Sequence, residues 1–271
     1  MAIPSADWVP RGNVIAMLNH YAPPADSSCQ PFNYVDTPPA GQPGRNTSDS
    51  TQETLIHDLR GQDSVFDLDK DKFQIITNVE ASSERSFTDD TSIKENYYPE
   101  VKQLLVKHIR GSNKIHIFDH TIRLANPSAP RDPVTSVHID QTAASAVKRG
   151  RYRIVNVWMP LNNKPVESFP LTFASTYTLE DCDVMPIEHR YPNGYTGETT
   201  AIKHNPSRKW YYLSGMTGSE RLLLECSDSE PLKPGSGIGG RVPHTAFVDP
   251  RTREDAEARK SIEVRALVFG L

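Results

Sequence analysis

Short segments with the residue pattern of β-strands dominate the second half of the chain. Eight of them follow one another, each bounded by turn-forming residues: KIHIFDHTIRLA, TSVHID, RYRIVNVWMPL, FPLTFAST, WYYLSGM, RLLLECS, TAFVD and SIEVRALVF. Many short strands with one helical segment ahead of them are typical of an antiparallel sandwich or barrel with helical support. We therefore predict a mainly β fold of the α+β class, a double-stranded β-helix of jelly-roll or cupin-like form with supporting helices.

One segment ahead of these strands has helical periodicity. In KENYYPEVKQLLVKHIRG the apolar residues that share one helical face are Tyr98, Val101, Leu104, Leu105 and Ile109. Gly111 supplies a stop signal at the C-terminal end. The pattern predicts a helix from roughly Ile93 to Arg110, packed on the outside of a sheet.

The N-terminal part of the chain is irregular in composition. Residues 22–51 are dense in proline, glycine, serine and asparagine and show little helical or strand period. Long segments of this kind are functional covers of a site or mobile surface segments, and the sequence supports both interpretations equally. The length of 271 residues suits one large barrel domain. We expect a single domain, 1–271, with the arm 1–51 as a candidate lid.

Composition excludes several classes of function. The chain is 37% hydrophobic, has a net charge of −4, and contains no apolar run of bilayer-spanning length. We therefore expect neither a membrane nor nucleic acid as a partner, and the absence of a secretory pattern predicts a cytoplasmic protein. Cys29, Cys182 and Cys226 are far apart, so neither a disulfide framework nor a thiolate zinc site is expected.

His138 and Asp140 form the first part of a candidate metal site. They are two residues apart in SVHIDQT, so on a strand both side chains point to the same face. About half an HxD triplet is expected by chance in a chain of this composition, and the pair alone is weak evidence. His244, in RVPHTAF, supplies a second imidazole further along the chain. Two histidines and one carboxylate are the ligand set of non-haem iron(II) oxygenases.

A basic segment after His244 points to the co-substrate. Arg259 and Ser261 are two residues apart at the start of the last strand, so both can grip one carboxylate of 2-oxoglutarate by charge-assisted hydrogen bonds. Arg265 lies on the same strand face and either helps to bind the carboxylates or forms an ion pair at the barrel rim. Zinc is the alternative metal, with hydrolysis as its chemistry. The arginine and serine favour iron.

The other histidines have neither an HxD pattern nor a downstream arginine in the right order. Among them, His120 is singled out by its charged neighbours. In IFDHTIR, Asp119 and Arg123 flank it and are expected to form a buried polar network. A structural or pocket-wall role for His120 is favoured over direct chemistry.

Ten segments of the chain, in order, resemble the fungal asaB-type hydroxylase/desaturase family. They are AMLNHY, IHDLRG with FDLDKDKFQ, YYPEVKQLL, IFDHTIR, VHIDQT, IVNVWMPL, WYYLSGMT, LLLECSDS, VPHTAFVDPR and SIEVRALVF. This family includes gibberellin desaturase-like and cephem methoxylase-like proteins and is a branch of the iron(II)/2-oxoglutarate-dependent oxygenases. The resemblance implies that His138, Asp140 and His244 bind iron(II), that Arg259 and Ser261 hold 2-oxoglutarate, and that dioxygen is the oxidant.

One segment departs from the family pattern. The sequence has Trp158-Met159-Pro160 where an arginine is expected between tryptophan and proline. Strand alternation places Asn156 and Trp158 on one face and Met159 on the opposite wall or on an apolar surface towards the substrate. With His120, these three residues are the candidate substrate-pocket residues.

The resemblance implies oxidative tailoring of a hydrophobic secondary metabolite such as a terpenoid or meroterpenoid. The reaction is hydroxylation, desaturation, rearrangement or endoperoxidation, and the sequence does not distinguish these outcomes. A zinc-dependent hydrolase and a non-catalytic ligand-binding barrel are the alternatives. A homodimer is the expected assembly, because closed two-fold dimers are the commonest one.

Overall fold

Fourteen strands in the described part of the chain form two sheets that face each other. The computed structural model describes residues 8–26, 28–126, 129–140, 152–191, 194–229 and 241–270. The strands are β1 (Val14–Ala22), β2 (Phe32–Tyr34), β3 (Ser48–Asp58), β4 (Phe73–Ile76), β5 (Lys114–Leu124), β6 (His138–Ile139), β7 (Tyr152–Pro160), β8 (Leu171–Ala174), β9 (Val184–Arg190), β10 (Thr196–Ile202), β11 (Trp210–Tyr212), β12 (Arg221–Asp228), β13 (His244–Ala246) and β14 (Lys260–Phe269).

Strand order follows the jelly-roll plan. One sheet has nine strands in the order β1-β3-β11-β8-β13-β6-β10-β9-β2, and the other has five in the order β4-β12-β7-β14-β5. Most neighbours are antiparallel; β11 with β3 and β2 with β9 are parallel. The predicted mainly β fold, a double-stranded β-helix with supporting helices, is confirmed.

The central strand β7 is buried along its whole length because both of its faces are covered. Val155, Val157 and Met159 point outward into an apolar cluster shared with the main helix. Asn156 and Trp158 point the other way, and Trp158 packs in a second cluster between the sheets. The alternation predicted for this segment is thus confirmed, and it separates an apolar outer face from a partly polar inner face.

The predicted supporting helix is present. Helical turns run from α2 (Asp90–Ser92) through a wide turn, Ile93–Tyr97, into α3 (Tyr98–His108), after a short α1 (Leu68–Asp71) earlier in the chain. The side chain of Asp89 caps the start by accepting a hydrogen bond from the backbone N–H of Ser92. The helical face packs on the outer face of the five-stranded sheet, as predicted. No helix in the described ranges is both long and apolar enough to cross a membrane.

The N-terminal segment is more regular than its composition suggests. Strand β1 pairs with β3 over nine residues at the edge of the nine-stranded sheet. Every second residue, Val14, Ala16 and Leu18, is buried between the two sheets. Part of the candidate arm 1–51 is therefore a regular strand of the nine-stranded sheet. Strands β3 and β4, which follow each other in the chain, belong to different sheets. Residues 33–35, 45 and 47–49 border a cavity, and the lid role of the arm 1–51 stays a prediction.

A buried ionic network joins α1 to the end of the five-stranded sheet. Arg153, which is 0% exposed, pairs with the fully buried Glu225 and with Asp69. Lys72 approaches the carboxylates of Glu225 and Asp228 at 3.3 and 3.7 Å. Burial raises the pKa of Glu225 to about 7, although Arg153 and Lys72 oppose this shift. The network is costly to desolvate, so the protein depends on its being complete.

His20 on β1 is a buried histidine that should make stability depend on pH. Its ring is 1% exposed, and its edge packs against His204 and Trp210 at centroid distances of 5.0 and 5.9 Å. Burial, followed by the charges of His204 and Arg208, lowers the pKa of His20 to about 4. The unfolded chain takes up this proton near pH 6.5, before the folded chain does. Stability contributed by neutral His20 is therefore lost as the pH falls towards 4.

We expect His20→Phe to make the protein less sensitive to acid. The check is the urea midpoint of unfolding measured at about pH 7.5 and pH 5, where the variant should lose less stability than the parent protein. His116→Phe, at an exposed histidine on β5, is the control. An equal loss in His20→Phe and the parent would contradict the assignment.

Candidate metal centre

Two neighbouring strands of the nine-stranded sheet bring three potential metal ligands together. His138 opens β6, Asp140 directly follows it, and His244 opens β13, where it lies opposite His138 in register. One ligand atom from each of the three side chains lies within 4.8 Å of the others. His244 is buried and the other two are partly buried. The sequence-predicted triad therefore meets at one point of the inner face.

Backbone carbonyls hold both imidazoles in the same way. Nδ1 of His138 lies 2.8 Å from the carbonyl oxygen of Ser136, and Nδ1 of His244 lies 3.0 Å from that of Val242. A carbonyl only accepts, so each Nδ1 carries the proton and each Nε2 has a free lone pair. Burial, with His244 second, lowers the pKa of His138 to about 3, although Asp140 opposes the shift. Neutral imidazoles of this tautomer are ready to bind a metal ion.

Two side chains from the opposite sheet fix the carboxylate. Asn156 donates from Nδ2 to Oδ2 of Asp140 at 2.6 Å, and Arg265 donates from Nε to the same oxygen at 3.2 Å. The other oxygen, Oδ1, lies 3.6 Å from Nε2 of His138. Burial alone would raise the pKa of Asp140, but Arg265 first, and then the two histidines and Asn156, bring it well below its usual range. Asp140 is therefore an ionised ligand with one oxygen left for a cation.

Arg265 is saturated by acids and a hydroxyl. Besides Asp140, its Nη1 donates to Asp119 at 2.8 Å and to Thr121 at 3.1 Å, and its Nη2 pairs with Glu263 at 2.5 Å. The sequence offered two roles for Arg265, a contact to the co-substrate and an ion pair at the rim. Its position supports the ion pair, and through it the orientation of Asp140. The polar network predicted around His120 also differs in detail, because Asp119 pairs with Arg265.

Removing the amide that holds Asp140 should weaken metal binding while leaving the fold intact. In Asn156→Ala, Asp140 loses its short hydrogen bond, and we expect a 10- to 100-fold weaker affinity for a divalent metal, as is typical for such outer partners. The measurement is metal affinity by competition with a coloured chelator. Asn205→Ala is a matched control, because Asn205 donates to Asp183 at 3.0 Å in another part of the molecule. Equal affinities in the two variants would contradict this role of Asn156.

The candidate anchor for the co-substrate lies deeper in the inner face. Arg259, directly before the first residue of β14, is 2% exposed, and Ser261, its second residue, is 1% exposed. Nη1 of Arg259 donates to the carbonyl oxygen of Phe169 at 2.6 Å, and the guanidinium lies 5.7 Å from the ring of Trp158. Its Nε is buried and has no hydrogen-bond partner among the described residues. An orphaned buried guanidinium N–H fits a carboxylate that completes the site.

A cavity of about 860 Å³ adjoins the triad. It is bordered by parts of the N-terminal segment, β5, β9 and β10, and its wall includes His138, Asp140 and His120. His120 shares a hydrogen bond of 2.8 Å between its Nδ1 and the hydroxyl of Tyr98 on α3. The cavity therefore gives access to the triad from one side of the barrel.

Three of the four candidate pocket residues lie away from this cavity. Met159 packs on the outer face, where the hydroxyl of Tyr97 lies 3.7 Å from its sulfur. It is on that face because it alternates with its neighbours along β7. Asn156 and Trp158 are on the inner face, yet Asn156 holds Asp140 and Trp158 packs beside Arg259. Among the predicted pocket residues, His120 alone borders the cavity.

Sequence reasoning missed the link from Asn156 and Arg265 to Asp140. The two residues are directly opposite each other in the pairing of β7 with β14, and directly paired residues share a face. The only signal in the sequence was that Arg265 shares its strand face with Arg259. The register between strands 100 residues apart could not be read from it.

Comparison with known proteins gives a consistent family. The family model described as an oxidoreductase/YMDC permease-like domain matches residues 18–269. A hydroxylase/desaturase, poxK from Penicillium oxalicum, is 35% identical over 272 residues, which cover 86% of this chain and 83% of the relative. An Fe(II)/2-oxoglutarate-dependent dioxygenase, nvfI from Aspergillus novofumigatus, is 30% identical over 88% of this chain and 90% of its own length.

A solved structure has the same fold. The iron and alpha-ketoglutarate-dependent endoperoxidase NvfI superposes with a TM-score of 0.83 at 27% identity, covering 96% of this chain and 99% of its own. Sequence and structure therefore point to the same set of relatives.

Proposed function

The chain belongs to the iron(II)/2-oxoglutarate-dependent dioxygenases, in the family of the fungal hydroxylase/desaturases, and from this premise we propose that it oxidises a secondary metabolite at iron held by His138, Asp140 and His244. The observation that carries the assignment of residues is the meeting of two imidazoles and one carboxylate within 4.8 Å, beside a cavity. This donor set suits non-haem iron(II).

Iron(II), 2-oxoglutarate and dioxygen are the cofactor and co-substrates of the enzyme. Together they supply an oxidant that removes a hydrogen atom from an unactivated carbon, with succinate and carbon dioxide as by-products. Family membership sets aside the two alternatives from the sequence, a zinc-dependent hydrolase and a non-catalytic barrel.

The side chains of this protein supply orientation and charge. Carbonyls on Nδ1 aim both imidazole Nε2 atoms at one point, and Asn156 with Arg265 turns Asp140 towards the same point. Arg259 and Ser261 bind one carboxylate of 2-oxoglutarate, because a buried cation and a hydroxyl stand together there. Water is kept from this end by the apolar cluster that includes Trp158.

The substrate is a small molecule, and we propose a hydrophobic secondary metabolite such as a terpenoid or meroterpenoid. A volume of about 860 Å³ falls in the range of small-molecule sites, roughly 300–1,000 Å³. Hydroxylation, desaturation, rearrangement and endoperoxidation can all follow one substrate radical. The position of the reacting carbon selects among them, since a displacement of about 1 Å changes rates some hundredfold.

The test is succinate formation by the purified protein with iron(II), ascorbate, 2-oxoglutarate and air, with and without terpenoid and polyketide panels. Succinate that rises with one class of compound supports the proposal and identifies that class. Absence of succinate, even without substrate, in protein that holds iron would overturn it.

The remaining proposals concern organisation. We propose one domain over 1–271, with the arm 1–51 as its lid, and a cytoplasmic homodimer without nucleic-acid or membrane partners. The composition supports the absence of these partners, cavity-bordering residues such as Tyr34 and Arg45 support the lid, and closed two-fold dimers are the commonest assembly. Light scattering of the purified protein tests the dimer.

A further inference from the structure

Arg123 on β5 faces the same interior as the candidate co-substrate anchor. It lies directly opposite Ser261 in the pairing of β5 with β14, and directly paired residues share a face of the sheet. It also borders the cavity that adjoins the triad. A guanidinium therefore stands between the open cavity and the buried start of β14.

Arg123 has no carboxylate partner among the residues that the structure describes. Its hydrogen bond within these residues runs from Nη1 to the backbone carbonyl of Asp132 at 3.0 Å, and no described acid lies within 4.0 Å of it. Arg265 lies four residues after Ser261 on β14 and forms ion pairs with three acids. Burial lowers the pKa of Arg123, with Glu263 opposing the shift. Most of this guanidinium's donors are available to a ligand.

A second guanidinium without an acidic partner among the described residues lies nearby. Within those residues, the acceptor of Arg259 is the carbonyl of Phe169, and no acid lies within 4.0 Å of it. Burial, followed by the charge of Arg123, lowers the pKa of Arg259 to about 9. A buried cation beside a partly buried one is costly when no acid lies between them, so an anion is expected to join them.

The acids of this interior indicate which anion. Arg265 pairs with Asp119, Asp140 and Glu263, so these three carboxylates are already engaged. Arg123 and Arg259 have backbone carbonyls as their described acceptors, and the distal carboxylate of 2-oxoglutarate is the anion that the proposed function brings beside them.

We propose that Arg123 is a second anchor for the distal carboxylate of 2-oxoglutarate, acting with Arg259 and Ser261. The inference rests on the proposed function, because it assumes that 2-oxoglutarate binds beside the triad. It adds to that function a residue that reaches the co-substrate from β5, across from the anchor on β14.

The test is calorimetric binding of 2-oxoglutarate to the iron(II) protein without oxygen. Arg123→Gln should weaken 2-oxoglutarate binding roughly 10- to 100-fold, the loss of a charge-assisted hydrogen bond. Binding of 2-oxobutyrate, which lacks the distal carboxylate, should be the same in Arg123→Gln and the parent. Arg131→Gln is the matched control, since Arg131 borders the same cavity but is exposed.

Arg123→Lys separates a lost contact from a folding defect. It keeps the positive charge, so it should bind 2-oxoglutarate with an affinity between those of the parent and Arg123→Gln. Unchanged 2-oxoglutarate affinity in Arg123→Gln overturns the proposal, and a selective loss of affinity for acidic organic substrates would assign Arg123 to a substrate carboxylate instead. An equal loss for 2-oxobutyrate also overturns the distal contact. If the parent iron(II) protein binds no 2-oxoglutarate, the proposed function itself fails.

Discussion

Replacing His138 with alanine should abolish substrate-dependent succinate formation and leave the purified protein without stoichiometric iron. The imidazole is one of three donors that meet within 4.8 Å, and its Nδ1 is already occupied by a backbone carbonyl. Loss of a direct ligand should cost more than the roughly 10- to 100-fold that is typical for outer partners. Iron content by mass spectrometry and succinate by chromatography provide the two measurements.

His189→Ala is the matched control for this prediction. His189 borders the same cavity, on β9, but does not belong to the triad. It should retain iron and the slow succinate formation that occurs without substrate, whatever happens to substrate binding. Full iron content and full turnover in His138→Ala would contradict the assignment of His138 as a ligand. An unchanged unfolding midpoint of the variant shows that it is folded, so that either result can be interpreted.

Replacing Arg153 with methionine should destabilise the protein more than any surface substitution. The change leaves the fully buried Glu225 with Lys72 as its remaining cation. Removing one partner of a buried pair typically costs about 3–5 kcal/mol, because the other charge stays desolvated. For a chain of this size the melting temperature should fall by roughly 10 °C. Calorimetry of the apo protein is the measurement.

The double variant Arg153→Met with Glu225→Met separates charge from packing. Buried ion pairs replaced by apolar side chains of similar volume are often neutral or more stable, so the double variant should recover most of the loss. Lys72 keeps Asp228 at 3.7 Å in that background. If the double variant is no more stable than Arg153→Met, packing of the arginine stem rather than the unpaired carboxylate explains the loss.

Local patterns predicted the parts of this protein that depend on neighbours in sequence. The alternation of β7, the helix that ends near Gly111, and the same-face placement of His138 and Asp140 each follow from a period of two or 3.6 residues. His244 was predicted from its order in the chain, and its position opposite His138 is a consequence of strand pairing.

What the sequence did not predict depends on contacts between distant segments. Asn156 was predicted as a pocket residue. Its hydrogen bond to Asp140 joins the two sheets, so local sequence did not reveal it. Strand β1 was concealed by the proline- and glycine-rich residues that follow it, although its buried residues alternate regularly. Both features depend on strand register and pairing, which a short window of sequence does not contain.

Most of the cavity wall comes from other parts of the chain than the triad, although His138 and Asp140 also border the cavity. The ligands sit on β6 and β13, inside the nine-stranded sheet, with their imidazoles held by main-chain carbonyls that no side-chain substitution removes. Much of the cavity wall comes from residues 33–49 and from β5 and β9 near the edges of the sheets. Mutations can therefore reshape the wall without moving the ligands. A gene duplicate of such an enzyme can acquire a new substrate in few steps while it inherits its oxidative chemistry intact.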